Sequence, residues 1–209
     1  MARILITSGP TRQYLDPVRY LTNASSGRMG AALAQAVIEA GHKAVVVTGP
    51  VDVAYPPGAE IIPVVSTEEM LEACLDAFPT CDGLIAAAAP SDYRPVRVAQ
   101  QKIRKTGEPL LLQLIETPDV VAALGAVRED RWMVAFALET EDQRMRAMQK
   151  LERKNCNLIV VNGPAAIHAA DTSVEVLDER AEVVAAWAGA KEFVAGELVR
   201  LIAARFPRD

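Results

Sequence analysis

Between Asp16 and Gly30 the chain reads Asp-Pro-Val-Arg-Tyr-Leu-Thr-Asn-Ala-Ser-Ser-Gly-Arg-Met-Gly, which places an arginine, a carboxamide and two hydroxyls around one turn. The segment that follows is patterned as a helix, with Met29, Leu33 and Val37 on one side. The first N–H groups of a helix have no internal partner, and the macrodipole adds partial positive charge there. Gly27 lets an anion approach the backbone, Ser25 and Ser26 can donate hydroxyls, and Arg19 and Asn23 add a cationic fork and an amide. A phosphate is the expected ligand. An Asn/Ser-rich loop ending in an ordinary helix cap also fits, because Ser, Asn and Gly are common at helix starts for structural reasons.

Other groups could join that chemistry. The run Ala86-Ala87-Ala88-Ala89-Pro90-Ser91-Asp92-Tyr93-Arg94-Pro95 follows an apolar stretch, and its small residues let a flat base or ribose lie against the backbone. Asp92 could hold a divalent metal or a hydroxyl, or merely form a turn. From Arg97 to Lys105 there are four cations (Arg97, Lys102, Arg104, Lys105) and no acid, in a chain whose net charge is −5. Alone this suits a solvated loop; beside a phosphate-type turn, a flap that closes on an anion is the better reading. Lys150 and Lys154 share one side of a helix, as many purely solvated pairs do.

The elements that must position these residues alternate between strand and helix. Strands are expected at Ile4–Ile6, Lys43–Val47, Ile61–Val65, Leu84–Ala88, Leu110–Ile115, Trp132–Leu138 and Leu158–Val161. Helices are expected at Gly27–Ala40, from the Ser66-Thr67-Glu68-Glu69 capping box to Phe78, from a Thr117-Pro118 cap through Leu124, at Glu141–Arg153 and at Lys191–Ala204. Val174–Leu177 and Glu182–Ala186 read as a closing hairpin. The pattern predicts an α/β, three-layer Rossmann-like fold with a mostly parallel central sheet and a C-terminal β-hairpin and helix. Ligands of such sheets sit at the carboxyl ends of the strands, where Ser8–Ser26, Ala86–Lys105, Phe136 and Asn162 all fall.

Composition narrows the class. At 209 residues and 51% hydrophobic content, a single globular domain over 1–209 is expected. No apolar run approaches bilayer length and the N-terminus lacks a signal-peptide pattern, so no membrane association is expected. Cys74, Cys81 and Cys156 form no C-x-x-C, and His42 lies far from His168, which argues against disulfides or structural zinc and for a reducing cytoplasm. The acidic balance argues against nucleic-acid binding. No G-x-G-x-x-G follows the first strand, the second strand ends in Val47-Thr48-Gly49 without an acid for a ribose, and no P-loop occurs. A nicotinamide-dependent reductase and a non-catalytic nucleotide-binding protein remain as rival readings.

Four separated segments resemble the phosphopantothenoylcysteine synthetase (phosphopantothenate–cysteine ligase) family of coenzyme A biosynthesis. They are Thr7–Thr11 with Asp16–Gly30, Ala86–Pro95, Lys102–Lys105 with Thr117–Val121, and Phe136–Thr140 leading to Lys150, Lys154 and Asn162. The D-P-V-R…N-x-S-S-G-x-M-G element is specific to that family. The resemblance implies that a carboxylate of phosphopantothenate attacks the α-phosphate of CTP, with Mg²⁺, and that L-cysteine then displaces CMP. It implies a CTP site at Ala86, Ala87, Ala88, Asp92, Lys102, Pro118, Asp119, Val120, Val121, Phe136, Lys150 and Lys154, with Asp92 the candidate metal ligand. Arg19, Asn23, Ser25, Ser26 and Gly27 would hold the phosphopantothenoyl part, and Asn23 and Lys102 would be catalytic. It further implies a cytoplasmic homodimer. Many bacterial members carry a flavin-dependent decarboxylase domain ahead of this unit. This chain starts at the synthetase's first strand, so no fused domain and no flavin site are expected, and a phosphopantothenoylcysteine decarboxylase could associate in trans. Pro90-Ser91 before Asp92, and Arg104 in the flap, depart from the frequent bacterial pattern.

Overall fold

The computed structural model describes residues 1–138, 151, 153–162 and 171–207. In chain order the strands and helices are β1 (Arg3–Ser8), β2 (Arg12–Tyr14), β3 (Tyr20–Thr22), α1 (Arg28–Glu39), β4 (Lys43–Thr48), β5 (Glu60–Pro63) and α2 (Thr67–Ala77). They continue with β6 (Gly83–Ala86), β7 (Tyr93–Pro95), β8 (Leu114–Glu116), α3 (Val120–Ala126), β9 (Trp132–Leu138), β10 (Leu158–Asn162), β11 (Asp171–Asp178) and β12 (Val183–Ala190). A C-terminal helix spans Lys191–Arg205.

Eight strands form one sheet in the order β12-β11-β10-β9-β6-β1-β4-β5. Pairing is parallel from β5 through β10, and β11 and β12 add an antiparallel hairpin at one edge. The central strands are Val-, Ile- and Leu-rich because helices cover them on both faces. Successive side chains of a strand point to opposite faces, and the core divides accordingly. Ile4, Ile6, Val46, Ile85 and Val160 pack with Leu33 and Val37 of α1 and Val194 and Leu198 of the C-terminal helix. Leu5, Val45, Leu84, Met133 and Ile159 pack with Met70 and Cys74 of α2 and Val120 and Leu124 of α3. This is the expected three-layer α/β fold. Among the described residues no helix is long and apolar enough to cross a membrane.

Several expected boundaries move. The Ser66 cap forms as read, its hydroxyl accepting from the Glu69 amide at 3.1 Å, whereas the Glu69 carboxylate reaches one residue further back and accepts from the Val65 amide. The cap of α3 is Asp119 rather than Thr117, because its carboxylate reaches the Ala122 amide at 3.1 Å. Leu110–Ile115 is not a buried strand. Only Leu114–Glu116 pairs, antiparallel to Tyr93–Pro95, in a separate ribbon, and Leu111 is 91% exposed. The β2–β3 hairpin was not expected; its three-residue strands are too short to show periodicity, and Tyr14 and Tyr20 brace it edge to face. Of the expected helix Glu141–Arg153, all but Leu151 and Arg153 lies outside the described residues, as does His168.

Candidate functional site

The strand exits and the start of α1 border two cavities of about 480 Å³ each. The first is floored by Ala86 and Ala88 and walled by Pro118–Val121, Arg153 and Lys154. The second runs from Asn23 past Ser25, Ser26 and Gly27 to Asn162, Thr172 and Lys191, with Ala87 on its wall. Ala88, Pro90, Asp92 and Phe136 line both, so the cavities meet at one seam.

Backbone pairing builds the small-residue shelf between them. Past the end of β6 the chain keeps following β1: the Ala87 amide donates to the Thr7 carbonyl, and the Ala89 amide to the Gly9 carbonyl at 2.9 Å. The Ala88 amide donates to the Thr7 hydroxyl. Pro90-Ser91, the departure from the bacterial pattern, is held firmly. The Ser91 amide donates to the Thr11 hydroxyl at 2.8 Å, and the Ser91 carbonyl accepts from the Thr67 and Thr117 hydroxyls. Thr11 and Thr67 are fully buried, so this clamp fixes where the chain presents Asp92.

On the first cavity's far wall, Asp119 caps α3 and also pairs with Arg153 at 3.0 Å and Lys154 at 3.3 Å. Burial raises the pKa of its carboxyl, but the Lys154 charge, the Ala122 amide and Arg153 together outweigh that, and the group stays below its ordinary value. The carboxylate therefore holds Lys154 at the cavity wall rather than presenting itself to an anionic ligand. Lys150 lies outside the described residues.

At the second cavity α1 begins at Arg28 with Gly27 as its cap, at φ 74°, and among the described residues no side chain caps the helix. Its first N–H groups thus keep their hydrogen-bonding capacity. Gly27 serves two ends: its positive φ suits glycine, and a Cβ there would lie 2.9 Å from a methyl of Val51. Gly30 lets α1 press on Ser8, whose hydroxyl donates to the Gly27 carbonyl and accepts from Tyr55. The Asn23 amide donates to the carbonyls of Ala89 at 3.3 Å and Pro90 at 2.8 Å, which leaves its Oδ1 as the acceptor it offers the cavity.

Arg19 and Lys102 line neither cavity. The Arg19 guanidinium pairs with Asp16 at 3.1 Å and donates to the Ile103 carbonyl at 3.1 Å. Fully buried Asp16 accepts in addition from the amides of Val18, Arg19 and Ile103. Desolvation raises its carboxyl's pKa, but these three amides and the Arg19 charge prevail and lower it. The cationic flap is therefore docked through Ile103 on the Asp16–Arg19 turn, four residues before Asn23, with Lys102 exposed beside that anchor.

Sequence reasoning missed Arg153, Thr117, Thr172 and Lys191 as wall residues. The signal for Arg153 and Thr117 was adjacency to Lys154 and Pro118; Thr172 and Lys191 gave none. Among the described residues no three His, Cys, Asp or Glu side chains cluster as a preformed metal site. One carboxylate at the seam, Asp92, suits a Mg²⁺ that arrives on a nucleotide's phosphates, since Mg²⁺ keeps several waters and takes one or two protein carboxylates.

Residues 1–206 match the family described as the DNA/pantothenate metabolism flavoprotein C-terminal domain. A coenzyme A biosynthesis bifunctional protein of Vibrio parahaemolyticus is 44% identical over 162 residues, covering 76% of this chain and 41% of that protein. Its Bacillus subtilis counterpart is 41% identical over 175 residues, 82% of this chain and 43% of that protein. The chain thus spans about two fifths of the length of these relatives. A crystal structure of the C-terminal domain of a coenzyme A biosynthesis bifunctional protein superposes with a TM-score of 0.84 at 32% identity, covering 100% of this chain and 97% of that one. By sequence over nearly its whole length and by fold, the chain belongs to the family of the DNA/pantothenate metabolism flavoprotein C-terminal domain.

Proposed function

We propose that this chain is a phosphopantothenate–cysteine ligase that uses CTP and Mg²⁺ and releases CMP and pyrophosphate. The observation that carries this reading is the seam: Ala88, Pro90, Asp92 and Phe136 wall both cavities, so ligands of each meet at one point. The nucleotide would occupy the first cavity, its base against Ala86 and Ala88 and its phosphates toward Lys154 and Arg153. Phosphopantothenate would occupy the second, its carboxylate at the seam and its phosphate toward the start of α1. A solved structure bearing the name Cab2, whose H337A mutant was determined with phosphopantothenate-cysteine, shares this fold at 17% identity.

The carboxylate oxygen attacks the α-phosphorus, the bond to the bridging oxygen breaks, and pyrophosphate departs. Lys154, held by Asp119, and Lys150 would stabilise the charge that builds on the leaving group, and Lys102 would join them once the flap swings off its Asp16–Arg19 anchor. Asp92 would hold a Mg²⁺ that arrives with the nucleotide, and that ion would supply Lewis-acid neutralisation of the triphosphate. In the second half-reaction the cysteine amine attacks the acyl carbon and CMP leaves. Asn23 Oδ1, its amide hydrogens committed to Ala89 and Pro90, would accept from that amine and orient its lone pair.

A homodimer belongs to the proposal. Tyr93, Val96, Leu111, Leu114 and Ile115 leave the β7–β8 ribbon apolar and exposed, as a contact surface would be. A decarboxylase is a candidate companion, because the relatives bear the name bifunctional protein. The test is pyrophosphate release measured for each nucleotide with phosphopantothenate and cysteine. Release that needs CTP and phosphopantothenate together is expected; saturable NAD(P)H binding without pyrophosphate would favour the reductase reading.

A further inference from the structure

We propose that Gly125 and Asn155 are positioning residues for Lys154: they seat its backbone against the last turn of α3, while Asp119 holds its ammonium at the start of the same helix. The inference rests on the reading of the first cavity as the nucleotide site. Leu151, Arg153 and Lys154 are helical, and the chain turns at Asn155, whose φ is 50°. The Cys156 amide reaches back to the Leu151 carbonyl at 3.2 Å, which closes the helix as a Schellman motif with Lys154 as its cap residue. Leu151 and Cys156 are both buried, in the layer that also holds Val120 and Leu124 of α3. Core packing thus fixes this helix end against α3.

The backbone contacts are specific to these residue types. A Cβ at position 125 would overlap the Lys154 carbonyl oxygen, so the approach requires glycine. Asn155 Nδ2 donates to the Gly125 carbonyl at 3.0 Å, and the Cys156 thiol donates to the Lys154 carbonyl at 3.6 Å. Asparagine tolerates a left-handed backbone better than most side chains do, and here it also supplies the donor. Toward the other end of α3, Asp119 Oδ1 lies 3.3 Å from Lys154 Nζ. With seven residues, α3 is about 10 Å long, and Lys154 lies lengthwise along it, gripped at its carbonyl and at its ammonium. A lysine is a point charge on a flexible four-carbon stem, whose rotamer freedom normally blurs its position. Held at both ends, it meets a nucleotide's phosphates already oriented, and such preorganisation decides how much a cation contributes.

The test measures steady-state KM values for Asn155→Gly and Gly125→Ala, each in the wild-type and the Lys154→Met backgrounds. Asn155→Gly keeps the left-handed turn and deletes only the amide, so its Tm should stay within about 4 °C of the wild type. It should raise the CTP KM by about 3- to 10-fold while the phosphopantothenate KM holds, and Gly125→Ala should raise it by about 10-fold or more. In the Lys154→Met background both substitutions should change the CTP KM by less than about twofold, because the group they place is gone. A rise that persists in that background, or wild-type CTP KM values in both single variants, overturns the proposal. If Gly125→Ala fails to fold, Asn155→Gly decides. If the wild type ligates nothing with any nucleotide, the ligase reading falls, and a carbon NMR titration of Asp119 judges the seat independently. Burial raises that carboxyl's pKa, while the Lys154 charge, the Ala122 amide and Arg153 hold it below its ordinary value. A midpoint that moves upward in Asn155→Gly supports the seat; an unmoved midpoint refutes it.

Discussion

Gly30→Ala tests how tightly the start of α1 is seated against the end of β1. A Cβ at position 30 would collide with both the Oγ and the Cβ of Ser8 and come within 3.3 Å of its Cα. Ser8 is fully buried and its hydroxyl is tied to Tyr55 and to the Gly27 carbonyl, so it has nowhere to turn. The helix must retreat or the hydrogen-bond chain must break. Overpacking of this kind costs about 1–3 kcal/mol and each lost hydrogen bond about 1 kcal/mol, offset by about 1 kcal/mol of helix propensity gained over glycine. A net loss of about 1–4 kcal/mol corresponds to a Tm lowered by roughly 2–16 °C in a chain of this length, read by calorimetry. Because Gly27 to Gly30 wall the second cavity, the KM for phosphopantothenate should rise while that for CTP holds. Adding Ser8→Gly removes the obstructing atoms and should restore most of both, a coupling of about 0.5–3 kcal/mol. A Gly30→Ala variant with unchanged Tm and KM, or a double variant no better than the single, would refute this packing account.

Other outcomes follow from the same contacts. Lys154→Met should raise the CTP KM by about 10- to 100-fold in steady-state assays while leaving the phosphopantothenate KM near the wild type. Asp119→Ala removes the cap of α3 and should cost about 1 kcal/mol of stability in urea melts, whereas Asp119→Asn keeps the cap and should cost less. Asp16, with its carboxyl below the ordinary 3.8, should hold the flap throughout the range above pH 3.8 and lose that contribution as the pH falls through its folded value. Limited proteolysis at residues 97–105 should therefore be slow at pH 7, and Asp16→Asn should speed it there. Burial pushes the thiols of Cys74 and Cys156 up to about 12, so alkylation at pH 8 should be slow until the chain is unfolded.

What the sequence reveals depends on how local each feature is. Lys43–Val47 and Leu158–Val161 are recognisable because a parallel strand covered on both faces must be almost wholly apolar. Ser66–Glu69 is recognisable because a helix cap is completed within four residues. The α3 cap was misplaced by two residues because Thr117 and Asp119 can both cap, and only the hydrogen bond to Ala122 decides between them. Leu110–Ile115 misled because apolar content alone does not tell core from an exposed ribbon. The shelf at Ala86–Ala88 and the loop at Asn23 could be read from residue type, and the structure joins them through the Asn23 amide. Arg19 could be seen as a cation, but its engagement with Asp16 and Ile103 could not, because the flap's path is set by tertiary contact. Thr172 and Lys191 reach the α1 start only through the order of strands in the sheet.

The most direct measurement follows the acid's oxygen. Phosphopantothenate labelled with ¹⁸O in its carboxylate is turned over with CTP and cysteine, and the released CMP is analysed by mass spectrometry. Attack of the carboxylate on the α-phosphate predicts one ¹⁸O in each CMP. Unlabelled CMP, or label appearing instead in inorganic phosphate, would contradict the account.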